Sequence, residues 1–294
     1  MERRAFLAKS CVAGVASLAA GSVVNGQAEL SRQPDETEVQ YRTRLAQFRA
    51  AQAAAMRVEG SKGRHYYELR KYEIETEEQK AGFDKFAREA AIPALNRHGI
   101  EKVGVFYPEE GLSPIYVLIP HNSIDSFLIM SPCLAEFDRE FLEKGSDFIN
   151  APASDPAYRN LEVSLHQAFE GMPRLERPID APGRIFQLRI YESPSEKTGL
   201  KKIEMFNTAE IAVFRKVGLH PVFFGQTLAG TKMPNLTYML VFKDQEERKA
   251  NWKKFGGDPD WQRLRAMPEY ADKAILRNKG ITNLFLKPAE YSQI

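Results

Sequence analysis

Cysteine is nearly missing from these 294 residues: Cys11 and Cys133 are the only two. Cys11 falls in a segment that reads as a leader, so the mature body keeps Cys133 alone. That excludes an intramolecular disulfide and a Cys-x-x-Cys redox or zinc site; a lone cysteine of this kind reads as a small buried hydrophobe. Net charge is also small, with 41 Lys+Arg against 39 Asp+Glu. The surplus sits in Met1–Ala28, where Arg3, Arg4 and Lys9 stand against Glu2. A body without net charge has no global field to gather nucleic acid or an anionic membrane, so neither is expected as a partner. Long apolar runs are lacking too. The uncharged stretch Ser10–Ala28 is diluted by Gly14, Ser17, Gly21 and Ser22, and a bilayer span needs about 20 strongly apolar residues. There is no His-Glu-x-x-His, no Gly-x-Ser-x-Gly and no phosphate loop. Lys197-Thr198-Gly199 imitates a penicillin-binding motif, but no Ser-x-x-Lys accompanies it. What is present is ordinary: 43% hydrophobic and 27% charged residues describe a folded globular chain. Its length suits about two domains.

The amino terminus reads as an address. Arg3-Arg4-Ala5-Phe6-Leu7 followed by Lys9 resembles a twin-arginine export signal, and small residues near Gly26 and Ala28 offer a cleavage region. Lys9-Ser10-Cys11 is a poor lipidation site, because a charge stands where a small or apolar residue belongs. Residues 1–28 are therefore expected to direct export to the periplasm or cell envelope. They would supply the protein's membrane contact if they stay attached. Residues 29–63 form a polar, Ala-rich arm with Val39, Leu45, Phe48 and Met56 loosely at helical spacing, ending in a Gly60–Gly63 linker.

The body repeats itself. Glu68-Leu69-Arg70-Lys71-Tyr72-Glu73 recurs as Gln187-Leu188-Arg189-Ile190-Tyr191-Glu192. At the same offset Arg97-His98-Gly99-Ile100 recurs as Lys216-Val217-Gly218-Leu219. Ile115–Ile119 matches Thr237–Val241, and Asp155-Pro156-Ala157-Tyr158 matches Asp258-Pro259-Asp260-Trp261. A unit of about 100 residues is a duplicated domain rather than a solenoid repeat of about 20–50. The expected domains are residues 64–172 and 184–294, joined by a linker at 173–183. In each, an alternating strand leads into a helix opened by a capping motif, Thr76-x-x-Gln79 in the first. Gly99 ends that helix. Two strands, a second helical region and a last strand follow. The first copy's second helical region, Ser123 to about Lys144, is expected to break near Pro132, and Asp155-Pro156 to open a short helical turn. The fold class is α+β: two tandem ferredoxin-like βαββαβ domains whose sheets pair as a pseudo-dimer.

Strand alternation nominates a site. In Ile185–Tyr191 the apolar set Phe186, Leu188 and Ile190 is expected to lie under the helices. Gln187, Arg189 and Tyr191 then occupy the other face, as Glu68, Arg70 and Tyr72 do in the first copy. If the two bare faces meet and close a barrel, these six residues line its interior or mouth. An arginine buried there needs a carboxylate or an anionic ligand; Glu68, Glu73 and Glu192 are the carboxylates at hand. Tyr72 and Tyr191 pack or donate to a ligand. His65, His98, His121, His166 and His220 read as surface or cap residues, with His166 able to face the interior beside Ser164. Trp252, Phe255 and Trp261 read as core or interface packing.

Tyr67-x-Leu69-Arg70-x-Tyr72, the helix ending in His98-Gly99-Ile100, Val103-Gly104-Val105-Phe106 and the Asp-Pro-x-aromatic step before the last strand resemble the NIPSNAP family. That family belongs to the dimeric α+β barrel superfamily. The resemblance covers roughly 66–168 and 185–286. The second copy has Val217 where the first has His98, so no shared role for His98 is implied. Better-known family members are mitochondrial proteins linked to vesicle traffic and protein binding. The superfamily also holds monooxygenases, isomerases, dehydratases and haem enzymes, so the resemblance implies a fold and does not choose a reaction. The expectation drawn from it is a small-molecule or protein-binding protein. The alternatives are a cofactor-free oxygenase or isomerase, and a structural or assembly module. No cofactor or metal is expected, and self-association beyond the internal pair is.

Overall fold

The computed structural model describes Thr37, Gln40 and residues 63–294. The leader and nearly all of the arm lie outside the described residues. Eight strands form one closed barrel: β1 (Tyr66–Glu73), β2 (Gly104–Pro108), β3 (Ile115–His121), β4 (Asn160–Ala168), β5 (Ile185–Glu192), β6 (His220–Ala229), β7 (Asn235–Phe242) and β8 (Ile281–Pro288). Their order around the ring is β1-β3-β2-β8-β5-β7-β6-β4. Each half contributes a ferredoxin-like sheet, β4-β1-β3-β2 and β8-β5-β7-β6.

The halves join edge to edge. β2 pairs antiparallel with β8, from Phe106↔Pro288 to Pro108↔Leu286. β4 pairs antiparallel with β6, from Leu165↔Ala229 to Ala168↔Gly225. This is the barrel expected of the two bare sheet faces, and it is closed by edge pairing. Stacking two open sheets leaves four edges with unpaired N–H and C=O groups, whereas closure satisfies all of them.

In the first half, helix α1 (Glu77–Phe86) runs through a π-turn (Ala87–Ala91) into α2 (Ile92–Arg97). Thr76 Oγ1 accepts from the Gln79 amide at 3.2 Å, and the Gln79 carboxamide reaches back to the Glu75 amide at 2.8 Å. Gly99 follows in the left-handed conformation, φ 83°. Three further helices are α3 (Ile124–Phe137), α4 (Arg139–Lys144) and α5 (Ser146–Ile149). Pro132 lies inside α3; the break comes at Asp138, whose carboxylate caps α4 by accepting from Phe141 N at 2.9 Å. A cap that satisfies the next helix's free amides fixes the break more firmly than one missing proline donor. Asp155-Pro156 opens no helix, only a bend. In the second half, α6 (Glu196–Met205) again passes through a π-turn (Phe206–Glu210) into α7 (Ile211–Val217). The helices α8 (Gln245–Gly257), α9 (Pro259–Ala266) and α10 (Asp272–Ile275) follow. Ser195 and Thr198 form a reciprocal capping box on α6. Asp258 caps α9.

The chain divides into two compact units that cut across the repeats. One contains Lys85–Ile100 and His121–Asn150; the other contains Arg64–Asp84, Glu101–Pro120 and Ala151–Ile294. Within the first, Asp138 holds Arg97 at 2.8 Å and His98 at 3.1 Å, and Phe86 stacks on Phe148 with centroids 4.2 Å apart. The second unit has two apolar clusters around the sheet. One gathers side chains from every strand, among them Tyr67, Phe106, Phe186, Leu188, Phe223 and Met239. β1 and β5 stand opposite each other in the ring, so this cluster fills the barrel lumen. The other gathers Tyr191, Phe206, Phe214, Tyr238, Phe242 and Phe255 between the second half's strands and its helices.

Those clusters reverse the expected faces of β5. Phe186 and Leu188 point into the lumen. Tyr191 points outward, under the helices. The closed lumen of an eight-stranded barrel is just wide enough for side chains to fill it and admits no water to polar groups. The more apolar side of the alternation therefore goes inside. The helix layer supplies its own polar partners to the other side.

Candidate ligand-binding site

β5 places Gln187, Arg189 and Tyr191 on the outer face of the barrel. Arg189 lies opposite Tyr238 on β7 and Asn283 on β8. Its guanidinium sits 4.8 Å from the Trp252 ring of α8 and 5.3 Å from the Tyr191 ring. Among the described residues no carboxylate comes within ion-pair distance of it; the Tyr191 hydroxyl and, at longer range, Glu210 favour its charge, but its buried Nε has no hydrogen-bond partner. Trp252 Nε1 donates to Gln187 Oε1 at 2.8 Å, and Gln187 Nε2 donates to Asn283 Oδ1 at 2.7 Å. The Tyr191 and Tyr238 hydroxyls lie 3.0 Å apart. Burial pushes the Tyr238 phenol well above its ordinary value, so it stays neutral.

Beneath this sits a buried ion pair. Lys202 on α6 meets Glu210, the last residue of the π-turn, at 3.1 Å, and both are about 2% exposed. Lys202 Nζ also lies 4.9 Å from the Phe206 ring and 5.7 Å from the Tyr191 ring. Burial raises the Glu210 carboxyl above its usual range, with Lys202 opposing. A π-turn of this kind often marks a functional position in a helix.

The first half gives an internal control. On β1, Glu68, Arg70 and Tyr72 also face outward, with Tyr72 against Phe83 of α1 at 5.0 Å. Arg70 has a counter-ion there: its Nε reaches Glu68 at 2.6 Å, and its Nη1 reaches the Tyr72 hydroxyl at 3.4 Å. The matching positions in the second half are Gln187, Arg189 and Tyr191, so the carboxylate has become an amide. The positions of Lys202 and Glu210 are held in the first half by Phe83 and Ala91. The six residues nominated from sequence thus fall into two groups on opposite sides of the ring, three on β1 and three on β5. They do not meet in a shared lumen. Lys202, Glu210, Tyr238 and Asn283 were missed. The repeat carried a signal for the first two, as charged residues at positions where its twin is apolar.

A second polar network lies inside the barrel. Opposite Tyr67, His166 is 2% exposed. Asn235 Nδ2 donates to the Thr231 and Lys232 carbonyls at 3.0 and 3.1 Å, so its Oδ1 accepts from Thr227 Oγ1 at 2.5 Å. Thr227, its proton spent, accepts from His166 Nδ1 at 2.9 Å. His166 Nε2 then accepts from Ser164 at 2.8 Å. Burial lowers the His166 imidazole to about 3, so it is neutral and a weak base. His166 takes the interior place beside Ser164 that its strand allowed, whereas the reading of a surface or cap residue fails for His121, which is fully buried against Ser126. Thr227 and Asn235 reach the edge of a cleft of about 400 Å³ walled by Leu200, Ile203 and Met233. Among the described residues no group of three His, Cys, Asp or Glu side chains could hold a metal.

The decisive likeness is in the second half: the NIPSNAP family model matches residues 186–293. This half of the chain is a NIPSNAP domain. The domain contains the whole Arg189 site, from Gln187 to Asn283. A NIPSNAP-like domain protein from Burkholderia xenovorans is 20% identical over 37% of this chain and 88% of its own, with a TM-score of 0.33. A NIPSNAP family protein from Agrobacterium tumefaciens is 18% identical over 37% of this chain and 96% of its own, TM-score 0.33. A putative monooxygenase from Fusobacterium nucleatum is 8% identical but covers 77% of this chain and 93% of its own, TM-score 0.50. At that identity it shows the α+β barrel fold alone. No curated protein matches the chain. Among the described residues no helix is long and apolar enough to cross a membrane.

Proposed function

We propose that the protein binds a small anionic molecule through its NIPSNAP domain, on the outer face of β5. One observation supports this reading above the others: Arg189 is largely buried without the counter-ion that its repeat partner Arg70 finds in Glu68. An uncompensated charge in a partly desolvated place is costly to the folded state, and an anion that arrives later recovers the cost. The filled lumen argues against a ligand between the two sheets. The fold shared with the Fusobacterium protein carries topology and no site, so it lends no chemistry here.

Arg189→Met tests the reading with two opposed readouts. The free protein should become more thermally stable, because a buried unpaired charge is gone. The same variant should lose the rise in Tm that benzoate or phosphate gives the wild type. A destabilised free variant, or an anion-dependent shift that survives the substitution, would refute the reading.

A further inference from the structure

We infer that the ligand taken at this site is a monoanionic carboxylate, clasped by Arg189 together with the side-chain amide of Asn283. The inference rests on the anion-binding reading above and adds the chemical class and the second contact. Its basis is the direction of a hydrogen-bond relay. An indole N–H can only donate. Gln187 must therefore turn Oε1 to Trp252, at 2.8 Å, and Nε2 away from it. That Nε2 donates to Asn283 at 2.7 Å, so Asn283 must turn its Oδ1 inward. What Asn283 presents to solvent is then its NH2 group, and the residue is exposed.

Arg189 and Asn283 are directly opposed across β5 and β8, which brings side chains on one sheet face within about 5 Å of each other at Cβ. The rim therefore offers N–H donors from both residues, and the two carbonyl oxygens of the relay already accept. A partner for this rim brings two acceptor atoms and no donor. Charge narrows the class further. Lys202 and Glu210 neutralise each other, so the charge directly opposite Asn283 is that of Arg189, with Arg248 lying further along over the Phe285 ring. A planar carboxylate matches both the charge and the spacing. Phosphate brings about −1.5 to −2 at neutral pH and would be under-neutralised.

The first half supplies the decisive substitution. Gln187→Glu restores the residue type of Glu68, which holds Arg70 at 2.6 Å. It gives Arg189 an internal counter-ion and also reverses the relay, because a carboxylate must accept from Asn283. Asn283→Asp replaces the outward donor with an acceptor. Titration with benzoate, followed by calorimetry and by the side-chain 15N–1H signals of Asn283 and Arg189, should shift both signals in the wild type. Either variant should weaken binding by about tenfold or more. Benzamide should not bind. Phosphate binding that depends on Arg189 without benzoate binding would overturn the carboxylate class and leave the anion reading standing. Failure of every anion would sink both. Benzoate binding unchanged in Gln187→Glu or in Asn283→Asp would remove the relay from the site.

Discussion

A buried Lys–Glu pair costs two desolvations, and the repeat shows that the fold does not need it. Lys202 and Glu210 occupy the positions filled in the first half by Phe83 and Ala91, on the same helix, π-turn and helix. Removing one member of a buried pair typically costs about 3–5 kcal/mol, while replacing both by apolar residues is often neutral or stabilising. Glu210→Ala should therefore destabilise by about 3 kcal/mol or more, softened by the Phe206, Tyr191 and Trp261 rings within 6 Å of the lysine. Lys202→Phe should cost a similar amount near neutral pH. The double variant should cost less than either single one. The pH dependence carries a further sign. Burial raises the folded Glu210 carboxyl above its unfolded value, so the folded state binds its proton more tightly. Its contribution is then most favourable below the ordinary carboxyl pKa of about 4.3 and is lost as pH rises through the folded value, by about 1.4 kcal/mol per unit. Without Lys202 the folded value should rise further and the loss should extend to higher pH, so Lys202→Phe should be more damaging at pH 8 than at pH 5. Urea unfolding of the four proteins at both pH values measures every term. If the double variant costs the sum of the single ones, or if the Lys202→Phe deficit does not change with pH, the pair is not coupled as argued.

Two more predictions concern the lumen. His166 is held neutral down to about 3, below its unfolded value of about 6.5. The stability this confers is fully present above pH 6.5 and is lost as pH falls toward 3, a difference of about 4 kcal/mol at the acid end. Its ring carbon-bound proton signals should show no titration between pH 7 and 5; a midpoint near 6 would contradict the enclosed network. Gly225 packs so closely that an added Cβ would stand 2.7 Å from His166 Cβ. Gly225→Ala should therefore destabilise by about 1–3 kcal/mol, and a thermal melt indistinguishable from wild type would show that β4 and β6 yield more easily than argued.

Much of the architecture was legible from local pattern. Thr76 and Ser195 did open helices, because their side chains satisfy free amides whatever lies around them. Gly99 and Gly218 did end helices, each with φ just above 80°. Asp258-Pro259 opened a helix while the matching Asp155-Pro156 did not, since a single turn needs neighbours to keep it folded. The nominated residues on β5 are close to the charged cluster, but for a reason opposite to the one that nominated them. They are polar because the helices above them bring partners, not because they line a lumen.

Alternation alone separated Phe186 and Leu188 from Gln187, Arg189 and Tyr191, and the repeat alone paired Arg189 with Arg70 and Gln187 with Glu68. Those relations are intrinsic to a chain with a period of two and a duplicated unit. Which set faces inward was settled by closure, because β2–β8 and β4–β6 pairing creates an enclosed lumen that apolar side chains fill on β5's side. Tertiary structure also decided that Lys202 would be buried. A lysine in an amphipathic helix reads as a solvated residue until the π-turn brings Glu210 to within 3.1 Å of it, and that opposite charge offsets much of the hydration the buried ammonium loses.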